Sequence, residues 1–295
     1  MQEHVSTQTQ KNRAVELIES SALDMPGNKQ IPSDFNLPAS PVFTNEYVEL
    51  KRLIKQKGLL DKQPIYYTYK FLFTMGLLAV SLALLIVVHN FWLQLLNAGY
   101  LAFVFTQIAT LAHDNGHRQI FRTTWKALIF NCVVINVLLG WSWSWWIDRH
   151  NRHHAHPNQL DLDPDIDTPF FSLSEENARG KSKFLQFIVK YQAYFFFPLQ
   201  VLAAIGILIW SIQFLVQKKA KYRLTEAVLI VVHYVMYFGL LLSLLGAWHA
   251  VLFIVVHQAL LGLYLGSIFA PNHKGMPILD KDCQLDFLRR LQPEM

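Results

Sequence analysis

The chain has 295 residues, of which 53% are hydrophobic and 16% charged, with a formal net charge of +5. Soluble domains carry about a quarter charged residues, so the composition excludes an ordinary water-soluble globule. Nothing in the charge pattern points to nucleic acid, and a modest positive excess fits the basic flanks common at a cytoplasmic membrane face.

Residues 1–44 are polar and expected to be partly disordered, although Ala14–Leu23 has the pattern of a short helix. The mixed charge of this region is not that expected of a cleavable signal peptide. Pro32, Pro38 and Pro41 make an extended linker. Asn45–Lys57 then reads as an amphipathic helix, with Tyr47, Leu50, Leu53 and Ile54 at helical spacing and Gly58 just past its end.

Four runs lack Asp, Glu, Lys and Arg altogether: Phe71–His113, Ala127–Ile147, Tyr191–Gln217 and Ala227–His273. A bilayer crossing needs about 20 apolar helical residues. The runs therefore predict an all-α polytopic membrane protein with about four spanning helices, supplemented by re-entrant or interfacial segments. Phe71–His89 and Phe91–Ala112 form the first expected hairpin, linked near Asn90.

Two histidine clusters abut these runs. The first is His113-Asp114-Asn115-Gly116-His117, and the second is His150-Asn151-Arg152-His153-His154. Ionisable groups at membrane depth are costly and point to function, and imidazole is a ligand for iron, copper, zinc and nickel. His113 and His117 share a helical face, as do His150, His153 and His154. His156 lies beyond, before Pro157, and reads as a surface or supporting residue.

If both clusters serve one centre, Ala127–Ile147 must return to the side it left, so it is expected to be re-entrant or interfacial. The tryptophans that end it (Trp141, Trp143, Trp145, Trp146) read as interfacial anchors. Phe196–Val216 and Ala227–Leu245 are expected as the second spanning pair, and Trp248–Phe269 as a segment that returns without crossing. This arrangement puts the basic linker Lys218–Arg223 opposite the histidines, in conflict with the positive-inside rule.

Ligating imidazoles are usually oriented by a carboxylate or carbonyl on their other nitrogen. Asp114 and Asp148 lie close to the clusters in sequence. The run Asp161-Leu162-Asp163-Pro164-Asp165-Ile166-Asp167 lacks the Gly and terminal Glu of a calcium loop, leaving a solvated acidic turn or a partner for imidazoles. Histidine-rich ligation in apolar surroundings suits iron that activates dioxygen. A zinc hydrolase stays open as an alternative, although H-E-x-x-H is missing. Cys132 and Cys283 form no C-x-x-C pair. His89, His233, His249 and His257 read as hydrogen-bonded helix residues, and Gly262-x-x-x-Gly266 as a close packing site.

His113-Asp-Asn-Gly-His117 and His150-Asn-Arg-His-His154-Ala-His-Pro-Asn158 resemble the first two histidine boxes of membrane fatty-acid desaturases. Gly266-Ser-Ile-Phe-Ala-Pro-Asn-His273-Lys-Gly-Met-Pro277 is similar to the region before their third box. The likeness is strongest to bacterial linoleoyl-CoA and acyl-lipid desaturases, and it covers about Asn45–Arg290.

The resemblance implies a desaturase-like membrane domain over residues 45–295 with a cytoplasmic metal-binding cap, in a bacterial plasma membrane. It implies two iron ions held by His113, His117, His150, His153, His154 and His273, with dioxygen as co-substrate. The implied reaction puts a cis double bond into a fatty acyl chain, carried by lipid or by CoA. Electrons would come from an external donor such as ferredoxin or a b-type cytochrome. The family's Gln-x-x-His-His third box does not occur in this sequence, so the domain is expected to be C-terminally incomplete. A hydroxylase or other oxygenase on the same scaffold, and a catalytically incompetent remnant, are the alternatives.

Overall fold

Two uncharged runs set the frame. The protein is described here from a computed structural model covering residues 43–166, 168–172, 174–217, 219–269 and 278–280. The chain divides into units Met1–Glu46 and Tyr47–Met295, and the core and site below lie in the second. The amphipathic pattern near residue 50 forms helix α1 (Phe43–Gln56), and Gly58 takes a positive φ in the turn that follows.

The run after Lys70 becomes the hairpin α2 (Pro64–Val87) and α3 (Phe91–Gly116). Asn90 caps α3 by accepting from the backbone N–H groups of Trp92 and Leu93. In hydrocarbon the last carbonyls of α2 have no water to bond, and the buried Gln94 amide donates to the carbonyls of Leu84 and Val88 instead. Asn97 adds a second tie, donating to the Ser81 carbonyl while the Ser81 hydroxyl donates to Asn97. Polar side chains thus fix the register of two otherwise greasy helices.

The last run becomes α10 (Arg223–Leu245) and α11 (Ala247–Phe269), joined at Gly246. These two, with α2 and α3, are the four described helices long and apolar enough to cross a membrane. Helix α11 runs parallel to α3. Phe91 packs against His249 near the start of both helices, and Phe103 stacks on Tyr264 farther along. The end of α11 is therefore level with the end of α3, where His113 lies.

Two segments are bent. Helix α4 (Thr124–Asn131) continues into π-helical turns (Cys132–Leu139), breaks at Gly140, and returns as α5 (Trp143–Ala155) at 111°. Gly140 has φ +73°, and a Cβ there would lie 2.4 Å from the His233 ring. His233 donates from Nδ1 to the Val137 carbonyl at 2.8 Å. Since His233 is ten residues inside α10, the turn reaches roughly 15 Å in from the histidine end, about half the hydrocarbon thickness. The segment is thus re-entrant, as expected from the need to bring both clusters to one side.

After the short helices α6 (Glu175–Arg179) and α7 (Lys183–Lys190), α8 (Gln192–Gln200) and α9 (Ala203–Val216) meet at 73°. This corrects the expected order of spans. Phe196–Val216 is bent rather than spanning, and the final apolar segment is a full-length helix rather than one that turns back. The physical reason lies in Pro198, which removes a helical hydrogen bond, and in Gly262. A Cβ on Gly262 would sit 2.5 Å from the Gln200 carbonyl oxygen. The Gly-x-x-x-Gly pattern therefore seats a broken backbone, not a second straight helix.

The correction also removes the charge conflict. With α11 spanning and parallel to α3, α10 begins at the histidine end, so the basic linker before Arg223 lies on the histidine side. The two far-side links, Val88–Asn90 and Gly246, carry no charge.

Candidate metal centre

The end of α3 and the outer half of α5 meet at the mouth of the bundle. His113 stands in the last turn of α3 and His117 just past it, its backbone N–H bonded to the His113 carbonyl. His150 and His154 are one turn apart on α5, and their Nε2 atoms lie 3.1 Å from each other. Ring centroids are 4.6 Å apart for His113–His117, 4.6 Å for His117–His150 and 4.8 Å for His117–His154. One ligand atom from each of these four imidazoles falls within 4.8 Å of the others. The helical spacing of both clusters anticipates this convergence.

Trp146 forms one wall. Its indole stacks on His150 at 4.4 Å and meets His113 edge-on at 5.8 Å. Gly116 makes the approach possible, because a Cβ there would lie 2.7 Å from the Trp146 ring. The tryptophans thus depart from the anchoring expected of them. Trp141 and Trp145 are buried, Trp145 stacks on Trp210, and Trp146 belongs to the site.

The remaining expected residues divide. His153 is turned from the four-imidazole group, and its Nδ1 lies 2.9 Å from both oxygens of Asp163. A carboxylate only accepts, so Nδ1 carries a proton. Asp163 is 1% exposed and also accepts from the backbone N–H groups of Asn158 and Asp165. His156 contacts Gln159. His273 lies outside the described residues, as does Cys283. Of the carboxylates singled out by proximity, Asp114 pairs with Lys70 at 2.8 Å and Asp148 with Arg152 at 3.0 Å. Asp114 also lies 3.8 Å from His113 Nδ1, so carboxylate partners for imidazoles come both from the first cluster, at Asp114, and from the acidic run, at Asp163.

Electrostatics disfavour protonation of His117, His150 and His154. Burial, then the neighbouring imidazoles, pushes His150 down to about 2 and His154 down to about 4. Burial and His113 also lower His117. For His153 burial opposes the charge, but the hydrogen bond to Asp163 together with the negative charges of Asp165 and Asp163 outweighs it and raises the group. Burial would raise Asp163, yet the bonds from His153 and the backbone hold it below the ordinary carboxylate range. Unprotonated lone pairs are what a metal ion requires of imidazole. Four converging imidazole nitrogens and an oriented fifth imidazole fit a first-row transition metal.

Backbone pairing ties the segment after the second histidine cluster to Leu279. Leu279 donates to the Asn158 carbonyl, and Leu160 donates to the Leu279 carbonyl, both at 2.9 Å. Glu226, buried at the start of α10, was not visible as a site residue in the sequence, where it reads as an ordinary charge at a helix start.

Fold and site together define a polytopic α-helical membrane protein with a histidine cluster able to hold metal at its charged end. The fatty acid desaturase family model matches residues 90–291, more than half of the chain, and the chain belongs to that family. It is 30% identical over 248 residues to an acyl-lipid (9-3)-desaturase of Physcomitrium patens, covering 81% of this chain and 47% of the relative. It is 29% identical over 189 residues to a delta(8)-fatty-acid desaturase of Euglena gracilis, covering 62% and 43%. A delta(8)-fatty-acid desaturase of Helianthus annuus is 26% identical over 233 residues, covering 75% and 51%. The chain thus spans about half the length of the curated relatives it matches. Those relatives are eukaryotic and lend no support to a bacterial host.

Proposed function

We propose that the protein is the membrane core of an oxygen-dependent fatty-acyl desaturase, which puts a cis double bond into an acyl chain at a histidine-ligated di-iron centre. The observation that carries this reading is the convergence of His113, His117, His150 and His154 within 4.8 Å at the end of an apolar helix bundle. His153, oriented by Asp163, and His273 complete the proposed ligand set. When bound, the iron pair supplies the dioxygen-activating chemistry that unactivated methylenes require.

The chain's own residues supply position and dryness. Asp114, paired with Lys70, ties the end of α3 to the start of α2 and so fixes the His113 turn. The Trp146 indole covers the inner side of the imidazoles and excludes water there. Desaturation removes two hydrogen atoms, that is two protons and two electrons, from the acyl chain. Reduction of dioxygen to two waters takes four electrons, so an electron donor, a ferredoxin or a b-type cytochrome, supplies the other two. The Physcomitrium patens relative is named an acyl-lipid desaturase, which favours an acyl lipid as substrate. The charge asymmetry of the two ends favours a cytoplasmic histidine face.

Iron per chain and the fatty acids of a host expressing the chain test the reading together. Two irons and an acyl product lacking two hydrogens are expected. A product with an added oxygen would instead mean a hydroxylase, and bound iron with no product an inactive remnant.

A further inference from the structure

Glu226 is a carboxylate in the wrong place for an ordinary surface charge. It stands in the first turn of α10 at 1% exposure, among the largest fully buried side chains. Among the described residues no Lys, Arg or His forms an ion pair with it. Burying an isolated carboxylate is costly unless hydrogen bonds replace its water, and here four donors do so. Oε2 accepts from Asn136 Nδ2 at 3.2 Å, from the Ser142 hydroxyl at 2.7 Å and from the Ser144 backbone N–H at 3.2 Å. Oε1 accepts from the Ser144 hydroxyl.

The donors straddle the 111° bend. Asn136 lies on the inward arm of the re-entrant segment, and Ser142 and Ser144 lie on the outward arm. Ser142 is also the cap of α5, accepting from the Trp145 N–H. The carboxylate therefore sits at the positive end of the helix that carries His150, His153 and His154, where a negative charge is favourable. It joins that helix end to α10 and sets the angle of the bend. Ser144 and His150 are six residues apart, roughly 9 Å along the axis, so a small tilt at the bend is carried directly to the imidazoles.

We infer that Glu226 is a positioning residue for the metal centre, a hydrogen-bonded clamp that aims the second histidine cluster at the first. This rests on the metal-site reading proposed above. It goes further by assigning the geometry of that site to a side chain distant in sequence and touching no histidine of it. The clamp works through acceptor geometry. A glutamine can keep its oxygen toward Asn136, Ser142 and the Ser144 N–H and turn its amide toward the Ser144 hydroxyl.

The full-length protein in detergent, titrated with Co(II) in the absence of substrate, gives one readout. Glu226→Gln is expected to bind with the wild-type affinity and visible absorption spectrum. Glu226→Leu is expected to lose about 10- to 100-fold in affinity and to change the spectrum, the scale seen when support for a ligand is removed. A second readout needs no metal. In a Cys132→Ala, Cys283→Ala background, cysteines replacing His117 and His154 should be bridged by a short bis-maleimide. The bridge should persist with Glu226→Gln and fail with Glu226→Leu.

If Glu226→Leu does not fold, the Ser142→Ala, Ser144→Ala pair should show the same losses. Wild-type bridging without Co(II) binding would overturn the metal reading and leave the clamp to be decided by the bridge. Unchanged bridging in Glu226→Leu, or equal loss in Glu226→Gln, would overturn the clamp.

Discussion

The imidazole of His153 donates from Nδ1 to Asp163, which lies at 2.9 Å through both carboxylate oxygens and is itself almost fully buried. This pair separates His153 from the four-imidazole group and fixes the orientation of its ring. Asp163→Asn keeps the volume but places an amide where two oxygens accept. Metal affinity of the purified protein is expected to fall about 10- to 100-fold, measured by competition with a chelator. Wild-type affinity would show that His153 orientation is set elsewhere.

Gly116 touches the Trp146 indole, with room for no methyl group. Gly116→Ala is expected to push the ring off His150 and to destabilise the protein by about 1–3 kcal/mol, the usual scale of overpacking. Thermal unfolding in detergent reads the second effect, and the near-ultraviolet circular dichroism of the indoles reads the first.

Stability without metal should fall as pH drops below neutrality. His150, His154 and His117 have lowered values in the folded protein. The unfolded chain therefore binds more protons than the folded one below about 6.5. Their contribution is present above that pH and is lost progressively toward the folded values, about 4 for His154 and about 2 for His150. His153 acts in the opposite sense, favouring the fold below 6.5 and losing that effect as pH rises through its raised value. Three against one gives a net loss on acidification. A melting temperature that rises from pH 7 to pH 5 would contradict it.

Gly262 and Gly266 should differ. An added Cβ at Gly262 meets the backbone carbonyl of Gln200 at 2.5 Å, whereas at Gly266 it meets the end of the Gln200 side chain. The side chain can move and the carbonyl cannot. Gly262→Ala is therefore expected to lower the unfolding temperature more than Gly266→Ala. Equal effects would mean that the break between α8 and α9 adjusts as freely as a side chain.

Sidedness can be read by labelling. Single cysteines at Lys221 and Arg122 should react with an impermeant maleimide from one side of sealed vesicles, and a cysteine at His89 from the other. Labelling of Lys221 together with His89 would restore the arrangement in which the basic linker opposes the histidines.

Much of the fold was legible because hydrocarbon imposes a one-dimensional rule. The uncharged runs of Phe71–His113 and Ala227–His273 require helices, and i, i+3 and i, i+4 spacing alone places His150 with His154 and His113 with His117 on common faces. The choice between Phe196–Val216 and Trp248–Phe269 as a spanning helix was not legible. Both are apolar, and only the seating of the Gln200–Ala203 break against Gly262 distinguishes them.

The sequence by itself determined an α-helical membrane protein and the residue types of its centre, since length, hydropathy and helical period are local properties. Tertiary structure alone decided that His153 belongs to Asp163, that Trp146 walls the site, and that Glu226 bonds both arms of the bend. Apart from the Trp146–His150 stacking within one helix, those are contacts across 10 to 90 residues, made by side chains whose partners are set by how the helices pack.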